Sequence, residues 1–306
     1  MKGHAVADFL AGKSIAVTGA GRGIGRAVAM LCAAEGAKVV VADYGVSTDG
    51  SDPTSEVADG VVKEIADAGG TAVAVADTVT TMAGGSRIVQ TAIDSWGRID
   101  GVVCVAGILK ERMLFNMSEE EWDPVVETHL KGTFTVFRHA AAVMRKQQSG
   151  TLIGFTSGAF QASAAQANYS AAKGGIVSLV RSAALGMHKY GVTANCIAPI
   201  ARTRMSAGVP MELAEIGDAE DVAPMVAYLL SDKARHITGQ IYTAVGGKIA
   251  VWNQPMEVRA MYKDGRWTPE EIAARIDGTV GTEQMPMLRM LDEMRRAAEA
   301  GERNNA

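Results

Sequence analysis

The sequence predicts an α/β protein: a doubly wound, seven-stranded parallel sheet with helices on both faces, followed by a helical C-terminal extension. Three observations carry this. Short apolar runs alternate with helical patterns from Ser14 to about Gly247, the rhythm of βα units whose strands are buried on both faces. A glycine-rich turn, Thr18-Gly19-Ala20-Gly21-Arg22-Gly23-Ile24-Gly25, joins the first run to the first helical pattern. Beyond Gly247 the short apolar runs stop and two amphipathic helical patterns follow.

Taken in order, the strands are expected at Ser14–Val17, Lys38–Ala42, Thr71–Ala76, Gly101–Val105, Thr151–Phe155, Thr193–Ile197 and Gln240–Ala244. Helices are expected between them at about Gly23–Glu35, Thr54–Asp67, Gly84–Trp96, Ser118–Gln147, Asn168–Tyr190 and Ala219–Leu230. Ser118 and Glu121 stand in capping-box register at the start of the fourth helix, and Gly191 stops the fifth. The connection Asp43–Pro53 is long for a βα loop, a length that goes with function or mobility. In the extension, Thr268-Pro269-Glu270-Glu271 reads as an N-cap, a proline at N1 and a glutamate at N3. Met287, Met290, Leu291 and Met294 share one face of a second helix, more in the manner of packing or a subunit contact than of a substrate wall. Residues 1–247 are therefore expected to form one α/β domain, and 248–306 an appendage with too little apolar surface to fold alone.

Composition narrows the partners. A net charge of −4 and a pI near 5.8 give no basic field for nucleic acid or anionic lipid, which leaves a small molecule as the expected partner. Cys32, Cys104 and Cys196 have apolar neighbours and no paired spacing, as buried thiols do in a reducing, cytoplasmic compartment. The five histidines show no ligand spacing, so no metal site is expected. No apolar run approaches membrane-spanning length.

The glycine turn has the spacing Gly19-x-x-x-Gly23-x-Gly25. Glycines there permit a tight turn and close backbone approach to a pyrophosphate, which the amides of the following helix attract. The competing reading is a strand–helix turn without a ligand. Asp43 ends the second strand, where a carboxylate accepts ribose hydroxyls and repels a 2′-phosphate, favouring NAD. A solvated strand end is the alternative for Asp43, and Arg22 near the ribose could instead accommodate the phosphate. Further on, Tyr169 and Lys173 lie four apart on a helix, which sets a cation beside a proton donor on one face.

With Asp77 after the third strand, Cys104-Val105-Ala106-Gly107 after the fourth, Ser157 after the fifth and Pro199 after the sixth, the chain resembles the short-chain dehydrogenase/reductases over about four-fifths of its length, and the sheet is then Rossmann-type. The resemblance implies that Asp77 and Thr78 lie at the adenine, and that Ala106 and Gly107 line the cofactor. It implies that Ser157 holds the substrate oxygen, Tyr169 is the general acid/base and Lys173 binds the nicotinamide ribose. Pro199, Ile200 and Thr203 would embrace the nicotinamide. A symmetric homodimer or homotetramer, assembled through the fourth and fifth helices, is implied as well.

The chain departs from the family in several places. Cys104-Val105 stands where the family has two asparagines, so packing is expected to brace that turn. His129 takes the place of the relay asparagine, either joining a proton relay or sitting as a buried structural histidine. Ser157 lies one residue closer to Tyr169 than is usual, so that Thr156 competes for its role. Ile200 replaces a glycine and bulks out the pocket wall. A narrower similarity, to the (3R)-hydroxyacyl-CoA dehydrogenase units of peroxisomal multifunctional enzyme type 2 and their bacterial relatives, rests on several segments. They are the long loop after Asp43, Ala106–Arg112, His129–Gly132, Gln166–Lys173, Ala198–Met205 and Trp267–Glu270. It implies oxidation of 3-hydroxyacyl thioesters with NAD. Lys110, Arg112, Arg202 and Arg204 are candidates for a CoA phosphate, and Met205–Ile216 is either an apolar lid or an ordinary connector. A dehydrogenase of steroid, terpenoid or other cyclic alcohols, and a non-catalytic NAD-binding sensor or scaffold, remain as alternatives.

Overall fold

The strands form one sheet of order β3-β2-β1-β4-β5-β6-β7-β8 in a computed structural model that describes residues 8–46, 51, 53–202, 216–281 and 285–304. They are β1 Ser14–Thr18, β2 Lys38–Ala42, β3 Thr71–Val75, β4 Gly101–Cys104, β5 Gly150–Phe155, β6 Val192–Pro199, β7 Ile241–Val245 and β8 Lys248–Val251. All neighbours pair in parallel except β7 and β8, which pair antiparallel.

The eighth strand corrects the expected count of seven. Val245 pairs with Lys248 across Gly246-Gly247, and Gly246 takes a positive φ of 49°. The chain thus turns back on β7 in a tight hairpin that only a residue without a Cβ enters freely. Two compact units are present, Met1–Trp252 and Asn253–Ala306.

In the first unit the strands bury alternate residues on opposite faces, as the two-residue period dictates. Ile15, Val17, Val39 and Val41 pack beneath α1 Gly23–Ala34, α2 Glu56–Asp67 and α7 Ala223–Leu230. Ala16, Val40, Val102 and Leu152 face α3 Met82–Trp96, α5 Gly132–Gln147 and α6 Ala167–Met187. β1 is the strand from which the chain winds both ways, with β2 on one side and β4 on the other. The crevice at the C-terminal ends of β1 and β4 is where such a sheet takes a ligand.

The helix expected over Ser118–Gln147 is interrupted. α4 Glu119–Val126 and α5 are joined by a π-helical turn, Glu127–Lys131. Such turns are rare, occur mostly as single turns inserted in α-helices, and are frequent at functional sites. The Ser118 amide donates to Glu121 Oε2 at 3.1 Å, the capping contact the sequence implied. α6 ends in a turn of 3₁₀-helix, His188–Tyr190, and Gly191 stops it with φ 67°.

In the second unit, Thr268 caps α8 Pro269–Arg275 by accepting from the Glu271 amide at 3.2 Å. Glu271 in turn holds Lys263 at 2.6 Å. Helix α9 spans Pro286–Asn304, with Met290, Leu291 and Met294 exposed along it. No helix among the described residues is long and apolar enough to cross a membrane.

Candidate active site

The glycine turn leaves β1 beside the turn that leaves β4. A Cβ on Gly19 would lie 2.7 Å from Ala106 N, so the approach is open only to glycine, which also holds φ 65° there. The Ala106 amide donates to Thr18 Oγ1 at 3.3 Å and the Val105 amide to Thr18 O at 3.3 Å. Hydrogen bonds from β1 therefore brace the turn that carries no asparagines, where packing was expected to do so. Gly23 and Ile24 open α1, whose N-cap, Arg22, makes no side-chain capping bond. By contrast Thr81 caps α3 through the Gly84 amide at 3.0 Å. The uncapped amides and the helix dipole suit a pyrophosphate.

Asp43 sits at the end of β2 with both oxygens engaged. Oδ2 accepts from Gly21 N and Oδ1 from Gly45 N, each at 2.7 Å. The carboxylate is thereby fixed against the glycine turn. The Arg22 guanidinium donates to Val46 O at 3.1 Å, on the loop just after Asp43. Asp77 accepts from the Thr78 amide at 2.7 Å and pairs with Arg87, a partner the sequence did not suggest.

At the other end of the crevice, β5 delivers Thr156 and Ser157. Thr156 is buried, and its hydroxyl donates to Lys173 O at 2.9 Å, which removes it from the cleft. Ser157 instead lies against the Tyr169 phenol, and its Oγ accepts from Ala159 N at 3.3 Å. Lys173 Nζ stands 5.3 Å from the centre of the Tyr169 ring and donates to Phe155 O at 2.7 Å.

The electrostatics differ from a simple cation-beside-phenol picture. Burial pushes the Tyr169 phenol up, and the Ser157 hydrogen bond pulls it partly back. Burial brings Lys173 down to about 7. The hydroxyl of Ser157 draws the phenol back toward the phenolate against that burial.

His129 is buried, at 2% exposure, in the π-turn. Its Nε2 meets Ile108 O at 2.8 Å, and the ring meets Tyr169 edge-on with centroids 5.1 Å apart. Desolvation, then the charge of Lys173, holds the imidazole well below its ordinary value, so it is neutral at physiological pH. It adds no exposed titrating group. Pro199 ends β6, and Ile200 follows, half-buried, its carbonyl accepting from Gly217 N at 3.2 Å. Thr203, Arg204 and all of the segment Met205–Ile216 except Ile216 itself lie outside the described residues. Of the other cations considered for a CoA phosphate, Arg112 is paired with Glu121 at 2.8 Å and Arg202 lies 3.5 Å from Asp218.

One residue that sequence reasoning passed over stands at the centre of this region. Asn168, wholly buried at the start of α6, bonds three backbone groups in three segments. Its place next to Tyr169, in the first turn of a helix, was the available signal.

A family described as enoyl-(acyl carrier protein) reductase matches residues 19–248. A short-chain type dehydrogenase/reductase of Mycobacterium tuberculosis is 44% identical over 238 residues, 77% of this chain and 82% of that one. The chain belongs to the short-chain dehydrogenase/reductase family. A hydroxyacyl-CoA dehydrogenase of M. tuberculosis is 39% identical over 87% of this chain and 88% of its own length. The crystal structure of a short chain dehydrogenase from Mycobacterium avium superposes with a TM-score of 0.81 at 44% identity, covering 90% of this chain and 97% of the other. This short-chain dehydrogenase/reductase is accordingly an oxidoreductase that uses a nicotinamide cofactor and a small-molecule substrate.

Proposed function

We propose that the protein oxidises the secondary alcohol of 3-hydroxyacyl thioesters of the CoA type with NAD. The observation that carries the chemistry is the meeting of Ser157, Tyr169 and Lys173 at one end of the crevice. Ser157 and Tyr169 hold the alcohol oxygen, and Tyr169 takes its proton. Lys173 places a cation beside the phenol, and the Phe155 carbonyl fixes the direction of that cation. When bound, the nicotinamide supplies the hydride acceptor and a positive charge that favours the phenolate. The thioester class is supported by the likeness to the mycobacterial hydroxyacyl-CoA dehydrogenase.

NAD is supported by Asp43, whose carboxylate is locked where a 2′-phosphate would be repelled. Asp77, Thr78, Ala106, Gly107, Pro199 and Ile200 complete the proposed cofactor contacts. A homo-oligomer is supported by Phe134 on α5 and Leu185 on α6, both exposed apolar side chains. The three free, buried cysteines are in keeping with a reducing cytoplasm.

The test compares reduction of NAD and NADP with a 3-hydroxyacyl-CoA and with cyclic alcohols, in the parent and in Tyr169→Phe. The thioester with NAD is expected to be the best pair, and Tyr169→Phe to lose about 10²–10⁴ in turnover. Parental turnover in Tyr169→Phe sinks the acid/base assignment. Preference for a cyclic alcohol sinks the thioester, and cofactor binding without turnover of any alcohol leaves a sensor.

A further inference from the structure

Two buried side chains tie Tyr169 to the segment that follows Gly107. Asn168 Nδ2 donates to Lys110 O at 2.9 Å and to Glu121 O at 2.7 Å, and Oδ1 accepts from Tyr169 N at 2.7 Å. The amide has one consistent orientation, since turning it over would set its oxygen against two carbonyls. His129 does the same for the carbonyl two residues upstream, with Nε2 on Ile108 O and the ring edge on Tyr169. The carbonyls of Ile108 and Lys110 are thus captured by side chains that both touch Tyr169. A further bond, Arg112 N to Ala165 O at 2.8 Å, joins the next part of the segment to the approach to α6.

We propose that Asn168 and His129 are positioning residues that hold Tyr169 and the Ala106–Lys110 segment as one rigid piece, fixing the phenol relative to the cofactor-lining turn. This rests on the reading of Tyr169 as the acid/base group. A hydrogen-bonded amide and a neutral imidazole serve the purpose because each offers donors with fixed direction and no net charge in a dry region. Burial, and then the charge of Lys173 on the same helix as Tyr169, work against protonation of His129, so the imidazole stays neutral into acid. A displacement of about 1 Å between reacting groups is enough to cost about 10²-fold in rate.

The experiment uses Asn168→Asp, His129→Leu, His129→Asn, the double variant Asn168→Asp/His129→Leu, and Tyr169→Phe as the reference. Asn168→Asp keeps the acceptor for the Tyr169 amide and turns an oxygen onto two carbonyls. His129→Leu removes the donor to Ile108, and His129→Asn restores one. Turnover with a 3-hydroxyacyl-CoA is followed across pH, NAD affinity by fluorescence titration, and folding by thermal melting.

For Asn168→Asp and His129→Leu, kcat is expected to fall about 10- to 100-fold while NAD affinity stays within about threefold, and the acid limb of kcat to move. His129→Asn recovers most of the loss, and the double variant loses less than the product of the singles. A merely structural role would shift melting and leave the limb in place. The proposal falls if folded Asn168→Asp and His129→Leu turn over within about twofold of the parent, limb unmoved, while Tyr169→Phe is inactive. Activity in Tyr169→Phe overturns the acid/base reading instead. If Asn168→Asp does not fold, Asn168→Ala, which removes the donors without adding charge, is judged by the same outcomes.

Discussion

Gly107 and His129 interlock: a Cβ on Gly107 would lie 2.0 Å from His129 Cε1 and 2.8 Å from both ring nitrogens. The buried imidazole occupies the space a side chain at 107 would need, and it cannot give way without breaking its bond to Ile108 O. Gly107→Ala is therefore expected to destabilise the protein by about 1–3 kcal/mol through overpacking. Combining it with His129→Asn should recover part of that, because the smaller side chain vacates the contact. Denaturant titration of the two singles and the double measures the coupling. Strict additivity would show that the two positions do not share this space.

Ala165 holds a left-handed φ of 59° in the loop between Ser157 and Tyr169. The strain falls where the chain must turn into α6. A left-handed alanine costs about 1–2 kcal/mol, of which glycine's extra freedom in the unfolded chain offsets a part. Ala165→Gly is expected to stabilise by about 0.5–1 kcal/mol, read from the melting temperature. A lower melting temperature would show that the conformation is unstrained.

Ser157 supplies the hydrogen bond that pulls the Tyr169 phenol down against burial. Removing it leaves desolvation alone, so Ser157→Ala should raise the phenol. The acid limb of kcat/KM for alcohol oxidation then moves to higher pH, in addition to any fall in the plateau. The limb staying in place while the plateau falls would confine Ser157 to substrate binding.

Lys173 is pushed down to about 7 by burial, from 10.5 in the unfolded chain. Between those values the unfolded state binds the extra proton. The penalty of the buried ammonium is thus present in full below pH 7 and is relieved as pH rises. The cysteine thiols, raised by burial, act in the opposite sense only above about pH 9. Cofactor-free protein is therefore expected to gain stability from pH 7 to 9, at no more than about 1.4 kcal/mol per unit, and Lys173→Met to flatten that rise. An equal slope in both proteins would place the effect elsewhere.

Much of this was legible in the residues. β2 at Lys38–Ala42 matches its expected bounds because an apolar run between Ala37 and Asp43 leaves little choice. The glycine turn and the Tyr169–Lys173 pair were readable because their spacing is local. What escaped was set by contacts distant in sequence. The place of Ser157 just after the strand Thr151–Phe155 already favours it over Thr156, but the reason, the bond of the Thr156 hydroxyl to the α6 backbone, is one that no spacing rule reports. The π-turn at Glu127–Lys131 leaves the apolar periodicity nearly intact on either side, so the pattern reads as one helix. β8 did have a signal, Gly246-Gly247 between two apolar runs, of the kind that marks a hairpin. Asn168 looked like an ordinary helix-start residue until its carbonyl partners were in place.

The extra residue accommodated at Glu127–Lys131 also makes that bend a phase adjuster. Each residue in an α-helix turns the chain by about 100°, so deleting one there would swing α4, and with it the Glu121 carbonyl, out of alignment with everything downstream. Homologous chains that carry an insertion or loss at this spot would have to re-aim the imidazole position by other means. Sequence length across Ser118–Gly132 thus becomes a marker, readable without coordinates, of whether a chain is built to present its phenol in the same way.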